Sequence, residues 1–167
     1  MIEVRVEDLA FYSGDAIIRP ATATLGATTP LLRRLELAGG KTLLDQLVVS
    51  EALAIGSAVV TGAGELSVEL LVHAIVSSTT ERVTRDGVRR AFRSALERAS
   101  AWQIANVAVP PFGLGAGNLD IEESALVMAD ELARHSAMAT FPKNITLVAE
   151  TADEAQALES ALARSAV

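Results

Sequence analysis

The residues best suited to chemistry form one run, Pro110-Pro111-Phe112-Gly113-Leu114-Gly115-Ala116-Gly117-Asn118-Leu119-Asp120. It follows an apolar stretch and opens a helical one. Glycine at alternate positions removes side chains where the backbone must approach something closely. Successive amide N–H groups can then converge on an anion beside the N-terminus of the following helix. In a parallel sheet such a loop lies at the carboxyl end of a strand, where open α/β folds bind ligands. The same glycines also suit a tight strand-to-helix connection with no ligand, and the spacing leaves both readings open.

Other phosphate loops and catalytic motifs fit less well. The dinucleotide fingerprint needs glycine at its sixth position, and counting from Gly113 that position is Asn118. Gly40-Lys41-Thr42 resembles the end of a P-loop, but Leu35 stands where its upstream glycine belongs, so Gly39-Gly40 is read as a helix stop. Gly56-Ser57 has no partner glycine to make a nucleophile elbow. His73 lies inside an apolar stretch and is expected to be a satisfied core histidine. His135 closes a helix, where a cation near the carbonyl end is favourable without any catalytic role. Glu122-Glu123 and Asp130-Glu131 are expected on solvated helix faces. Arg82, Arg85, Arg89, Arg90, Arg93 and Arg98 make one helix basic, which reads as a solvated surface or a partner face. No catalytic residue and no metal ligand is assigned.

Composition narrows the classes further. The chain has 167 residues, 50% of them apolar but only 4% aromatic, no cysteine, two histidines and a net charge of −7. One domain spanning 1–167 is expected, long enough to bury roughly two thirds of its unfolded surface. The missing cysteines exclude disulfide scaffolds, thiol catalysis and most structural zinc sites. An acidic domain is a poor partner for duplex nucleic acid, where affinity comes from basic side chains on phosphates. Charge alternates with apolarity from Met1 to Arg5, unlike an export signal, and no stretch reaches the apolar length of a membrane span. A cytoplasmic protein without membrane contact and without a cofactor is expected.

The elements that must hold the glycine loop follow from periodicity. Ile2, Val4 and Val6 alternate with charges, as in a strand with one wet face. Asp15 to Pro20 reads as a short buried strand stopped by proline, and Ala21 to Gly26 as a loop. Leu31, Leu32, Leu35 and Ala38 mark a helix, and a second short helix is expected over Thr42 to Ala54. Ser57 to Thr61 and Leu70 to Val76 read as strands around the Gly62-Ala63-Gly64 turn. Val88, Ala91, Phe92, Ala95, Leu96 and Ala99 mark a long amphipathic helix. Ile104 to Val109 is a buried strand. Asp120 and Glu123 have capping-box spacing before a helix that buries Ile121, Ala125, Met128, Ala129 and Leu132. Asn144 to Ala149 is the last strand, and Thr151 with Glu154 forms a second capping box for a terminal helix over about 151–164. Strands this continuously apolar are usually parallel and covered on both faces.

Several of these segments, taken in order, resemble the macro domain, the ADP-ribose-binding module. Val6-Glu7-Asp8-Leu9 is similar to the segment in which a family aspartate meets the adenine amino group. Asp15 to Thr22 resembles "DAIVNPAN", Ala38-Gly39 is similar to the family's "AAG", and Gly56 to Thr61 with Leu71 to Val76 resembles "GEAVIT…YVIHAV". Pro110 to Leu119 is similar to "PALGTGAGGLP", the most specific match. The resemblance implies a three-layer α/β/α fold with a mixed, largely parallel central sheet. It also implies a ligand across the carboxyl ends of the strands. Asp8 would accept from the adenine amino group with Leu9 beside it, and in the loop that begins with Gly113 and Leu114, the backbone N–H groups of Gly115, Ala116, Gly117 and Asn118 would be offered to the diphosphate. Neutral amides at a helix N-terminus let an acidic protein hold an anion.

The departures bear on activity. Thr22 falls where the family's first loop ends in asparagine, Arg19 where it has the preceding asparagine, and Gly26 alone remains of a glycine run. Pro30-Leu31-Leu32-Arg33-Arg34 stands where catalytic relatives carry an aspartate and then a histidine. Threonine is too short to replace an amide's paired donor and acceptor. The expectation is therefore binding of ADP-ribose or a related nucleotide diphosphate without catalysis, with Thr22 in the remodelled distal half. Two alternatives remain. One is hydrolysis of ADP-ribosyl or O-acetyl-ADP-ribose esters, with Thr22 or Thr24 positioning water. The other is a non-binding scaffold that self-associates as a homo-oligomer, as the resemblance of the macro fold to the N-terminal domain of leucine aminopeptidases suggests.

Overall fold

Alternation at the N-terminus does produce a strand, β1 over Ile2–Val6, and the later apolar runs produce β2 (Ala16–Thr22), β4 (Leu70–Ser77), β5 (Asn106–Val109) and β6 (Asn144–Ala149), with β3 over Ala58–Gly62. The computed structural model describes residues 1–165. Its six strands form one sheet in the order β1-β6-β5-β2-β4-β3, in which only the β3–β4 pair is antiparallel. Helices α3 (Arg85–Ala101), α4 (Ile121–Ser136) and α5 (Ala152–Arg164) cover one face. Helices α1 (Pro30–Ala38) and α2 (Gly40–Leu44) cover the other. This is the three-layer α/β/α arrangement with a mixed, largely parallel sheet.

Strand alternation sorts β2 between two cores. Ala16 and Ile18 join Val72, Ala74, Phe92, Leu96, Val107, Met128 and Leu147 beneath α3–α5. Ile17 joins Leu9, Leu32, Leu35, Leu43 and Leu71 beneath α1 and α2. Phe92 and Phe112 meet at 5.0 Å between ring centroids, tilted by 54°, which roots the start of the glycine loop in the larger core.

Several local expectations need correction. Pro20 does not stop its strand, and Ala21 and Thr22 belong to β2 rather than to a loop. The β5 ladder reaches only Ala16 and Ile17, so farther along β2 has one side without a strand partner, where a residue lacking an N–H is tolerated. No helix fills Thr42 to Ala54. After α2 ends at Leu44, the chain packs Leu47, Val49, Leu53 and Ile55 onto Ala21, Ala23, Leu25 and Ile75. Those residues recur mostly at two-residue steps, which is not helical spacing. Ile121 is only half-buried, and Glu131, expected in solvent, is 2% exposed. Arg82 precedes α3 instead of lying on it. The Asp120–Glu123 capping box forms in both directions. At Thr151 only half of one forms, because the Glu154 side chain accepts from the N–H of Glu150. Among the described residues no helix is long and apolar enough to cross a membrane.

Candidate functional site

Because β1, β6, β5, β2 and β4 are parallel, their carboxyl ends share one edge of the sheet. The candidate ligand-binding residues lie along it: Asp8 and Leu9 after β1, Thr22 at the end of β2, and Gly113 to Asn118 after β5. At about 4.8 Å per strand, the ends of β1 and β4 stand roughly 19 Å apart. A ligand with several linked parts could therefore span the edge.

At the β1 end, Asp8 caps a single 3-10 turn over Leu9–Phe11. Its Oδ1 accepts from the Ala10 N–H at 3.0 Å. Its second oxygen has no partner among the described residues and is free for a donor. The Leu9 side chain is fully buried in the core under α1, so the backbone alone is left to face a ligand here. Val6, Glu7, Asp8, Leu31, Arg34 and Glu150 line a cleft of about 250 Å³. An Arg34–Glu150 ion pair at 3.1 Å forms part of its wall. Neither residue carries a local signal, since 116 positions separate them.

The glycine loop is anchored at both ends. The Phe112 N–H donates to the Met128 sulfur at 3.3 Å, and the Ser124 hydroxyl donates to the Phe112 carbonyl. Leu119 N–H donates to the Gly113 carbonyl and Asn118 N–H to the Gly115 carbonyl, both at 3.0 Å. The Asn118 N–H is thus spent within the loop and is not the free diphosphate donor that the resemblance implies. The N–H groups of Leu114, Gly115, Ala116 and Gly117 have no acceptor among the described residues. Gly113, Gly115 and Gly117 have φ of +81°, +131° and +77°. The reasons for glycine differ along the loop. A side chain at Gly113 would also collide with Val88, 2.8 Å from where its Cβ would stand, so that position serves packing as well as the turn. Gly115 and Gly117 are exposed.

The first loop is a tight turn closed on itself. Thr22 N–H donates to the Gly26 carbonyl at 3.0 Å, and Gly26 N–H to the Thr22 hydroxyl oxygen at 2.9 Å. Leu25, in the turn, adopts φ +64°. Beneath it lies a group that sequence reasoning did not place, Arg19, wholly buried. Its Nη2 donates to the Leu25 carbonyl at 2.9 Å, its Nη1 pairs with Glu36 of α1 at 2.7 Å, and its Nε donates to His73 Nδ1 at 2.8 Å. Burial lowers the Arg19 pKa, and the Glu36 carboxylate opposes that. Burial, and then the Arg19 charge, push His73 well below the usual imidazole value. His73 is thus a satisfied core histidine. His135 is also buried, with its Nε2 2.8 Å from the Phe141 carbonyl.

Past the turn, Thr22, Ala23, Thr24, Ala52, Ser78 and Thr79 line a cavity of about 190 Å³. Its polar side chains are all hydroxyls. The Ser78-Thr79-Thr80 cluster, directly after an apolar strand, was the available sequence signal for this wall. Among the described residues no group of three or more His, Cys, Asp or Glu is placed to hold a metal ion.

A sequence profile of the macro domain matches residues 32–128. An uncharacterised protein of Aquifex aeolicus is 31% identical over 135 residues, 78% of this chain and 80% of its own. Among solved structures, a point mutant of the Oceanobacillus iheyensis macrodomain with ADPR superposes with a TM-score of 0.85 at 16% identity, covering 97% of this chain and 91% of that one. The Trypanosoma brucei macrodomain in complex with ADP-ribose gives 0.84 at 14% identity, covering 95% and 68%.

Proposed function

The chain belongs to the macro domain family, and from that premise we propose that it binds ADP-ribose, or a related nucleoside diphosphate, along the carboxyl edge of its sheet and does not hydrolyse it. The observation that carries the reading is the run of four successive N–H groups, Leu114 to Gly117, without acceptors among the described residues, beside the capped N-terminus of α4. Backbone amides in that position form a concave donor set for a diphosphate and need no basic side chains. The ligands named for the two solved neighbours support the same class.

In this reading Asp8 accepts from an exocyclic base amine through its free oxygen, and the Leu9 backbone lies beside it. The apolar part of the base rests on Val6 and Leu31 within the 250 Å³ cleft. Gly113 and Asn118 shape the loop, one by packing and one by its internal hydrogen bonds. Leu114, Gly115, Ala116 and Gly117 donate to phosphate oxygens.

The second ribose falls to the hydroxyl-lined cavity at Thr22. Hydroxyls there can hydrogen-bond a sugar. A threonine or serine hydroxyl without a neighbouring base does not take a proton from water at neutral pH. This supports binding without turnover.

Calorimetric titration with ADP-ribose tests the reading. Saturable heat and a rise in melting temperature are expected. Neither signal at millimolar ligand overturns it. Steady turnover of O-acetyl-ADP-ribose by the wild-type chain would overturn the non-catalytic part alone.

A further inference from the structure

Arg82 was grouped with a basic helix, yet the structure places it on the β4–α3 connection, against the glycine loop. Its Nη2 donates to the Gly117 carbonyl at 3.3 Å, and a Cβ at Gly117 would stand 3.5 Å from the same nitrogen. The guanidinium thus packs on the loop backbone at the position that is kept free of a side chain.

The residue is held there rather than loosely tethered. The preceding turn is stitched by Ser78, whose N–H donates to the Glu81 carbonyl at 2.9 Å. Its hydroxyl oxygen accepts from the N–H groups of Thr80 and Glu81 at 3.2 and 3.0 Å. On the other side Val83 is buried in the main core. Only Arg82 is left to project between these two anchors, and it is exposed.

Its charge is uncommitted. Arg34, Arg85, Arg89, Arg90 and Arg93 each meet a carboxylate, whereas Arg82 has none within salt-bridge distance among the described residues. Of the five N–H donors on a guanidinium, one is used, on a long bond to a neutral carbonyl. Arg33, Arg98, Arg134, Lys143 and Arg164 also lack an ion pair among the described residues, but Arg82 is the one of these that bonds the glycine loop, beside its four N–H groups without acceptors. The opposite flank of the loop carries another unspent donor. The Thr28 carbonyl lies 3.4 Å from where a Gly115 Cβ would stand, and the buried Thr28 hydroxyl has no partner among the described residues.

We infer that Arg82 is a ligand-binding residue that closes the 113–118 loop from the solvent side, exchanging its bond to the Gly117 carbonyl for a charge-assisted bond to a phosphate oxygen. The inference rests on the reading of that loop as a diphosphate site. It adds the one ionic contact there, and so makes affinity sensitive to salt and to ligand charge. Guanidinium–phosphate bonds are about twice as strong as neutral ones, and an exposed ionic contact is screened by added salt.

The experiment compares wild type, Arg82→Gln and Arg134→Gln, the last removing an equal charge in the final turn of α4, at the far end of that helix from the loop. Each is titrated with ADP-ribose and, separately, with inorganic pyrophosphate, at about 0.05 M and 0.5 M salt. Arg82→Gln is expected to weaken both ligands about tenfold at low salt and to flatten the salt dependence. Arg134→Gln should match wild type. Equal affinities and salt slopes for wild type and Arg82→Gln overturn the inference while leaving the binding reading standing. Loss of ADP-ribose binding in the wild type overturns that reading. An Arg82-dependent pyrophosphate affinity would still sustain the inference in that case, and no affinity for either ligand removes both.

Discussion

Arg19 donates its Nε–H to Nδ1 of His73 at 2.8 Å in the middle of the sheet, and this bond settles the state of the imidazole. An arginine has no acceptor, so His73 Nδ1 must carry the lone pair and Nε2 the proton. The Nε2–H then donates to the Thr61 hydroxyl at 2.8 Å, and that hydroxyl to the Gly62 carbonyl at 2.8 Å. One directed chain of hydrogen bonds runs from β2 through β4 to the edge strand β3, and it holds only with a neutral ring.

Stability should therefore fall with acid. The folded pKa of His73 lies below its unfolded value of about 6.5, so the unfolded chain binds the proton more readily. This contribution is fully present above pH 6.5 and is lost as pH falls below it. Urea denaturation should show stability falling between pH 7.5 and 5.5, by up to about 1.4 kcal/mol, the limit for one proton. In His73→Gln that part of the slope should vanish. An unchanged slope would exclude His73 as its source.

Replacing Arg19 by methionine keeps the bulk and removes every donor. Glu36, His73 Nδ1 and the Leu25 carbonyl lose their shared partner inside the protein. A cost of about 3–5 kcal/mol is expected by urea denaturation, together with faster amide exchange at Thr22 and Gly26, whose mutual bonds close the turn.

The pair between α3 and α4 is asymmetric and should respond asymmetrically. Arg93 grips Glu131 with two bonds of 2.7 and 2.9 Å, but the arginine side chain is 38% exposed and the glutamate 2%. Arg93→Ala leaves a buried carboxylate with only Arg89, at 3.6 Å, among the described residues. Glu131→Gln leaves a cation that can turn to water. Losses of about 3 and 2 kcal/mol respectively are expected, and the order of the two urea midpoints is the check.

Gly115→Glu places a carboxylate against the free amides at a backbone position of φ +131°, which a side chain occupies only with strain. ADP-ribose binding should disappear in calorimetry. Because the site is an exposed loop, the melt should stay cooperative, with a loss of about 1–3 kcal/mol.

The sheet, the long helices and the Asp120 cap were legible because each is written in local spacing. The edge that gathers Asp8, Thr22 and the glycine loop was legible too, since parallel strands share their carboxyl ends. What escaped was non-local. Glu131 looked solvated because its partner Arg93 lies 38 positions away. Arg19 looked like a departure from a motif, and only the fold brings His73, 54 positions on, to its guanidinium. Pro20 looked like a stop because the sequence does not say how far β5 runs beside it.

The Arg19–Leu25 bond also constrains the length of the turn. The guanidinium reaches the Leu25 carbonyl because only six positions separate them and the turn doubles back at Gly26. A longer loop would carry that carbonyl away and leave Nη2 of a buried guanidinium without its acceptor. The short turn and the arginine thus fix each other, since the turn cannot lengthen without taking the acceptor from a buried donor.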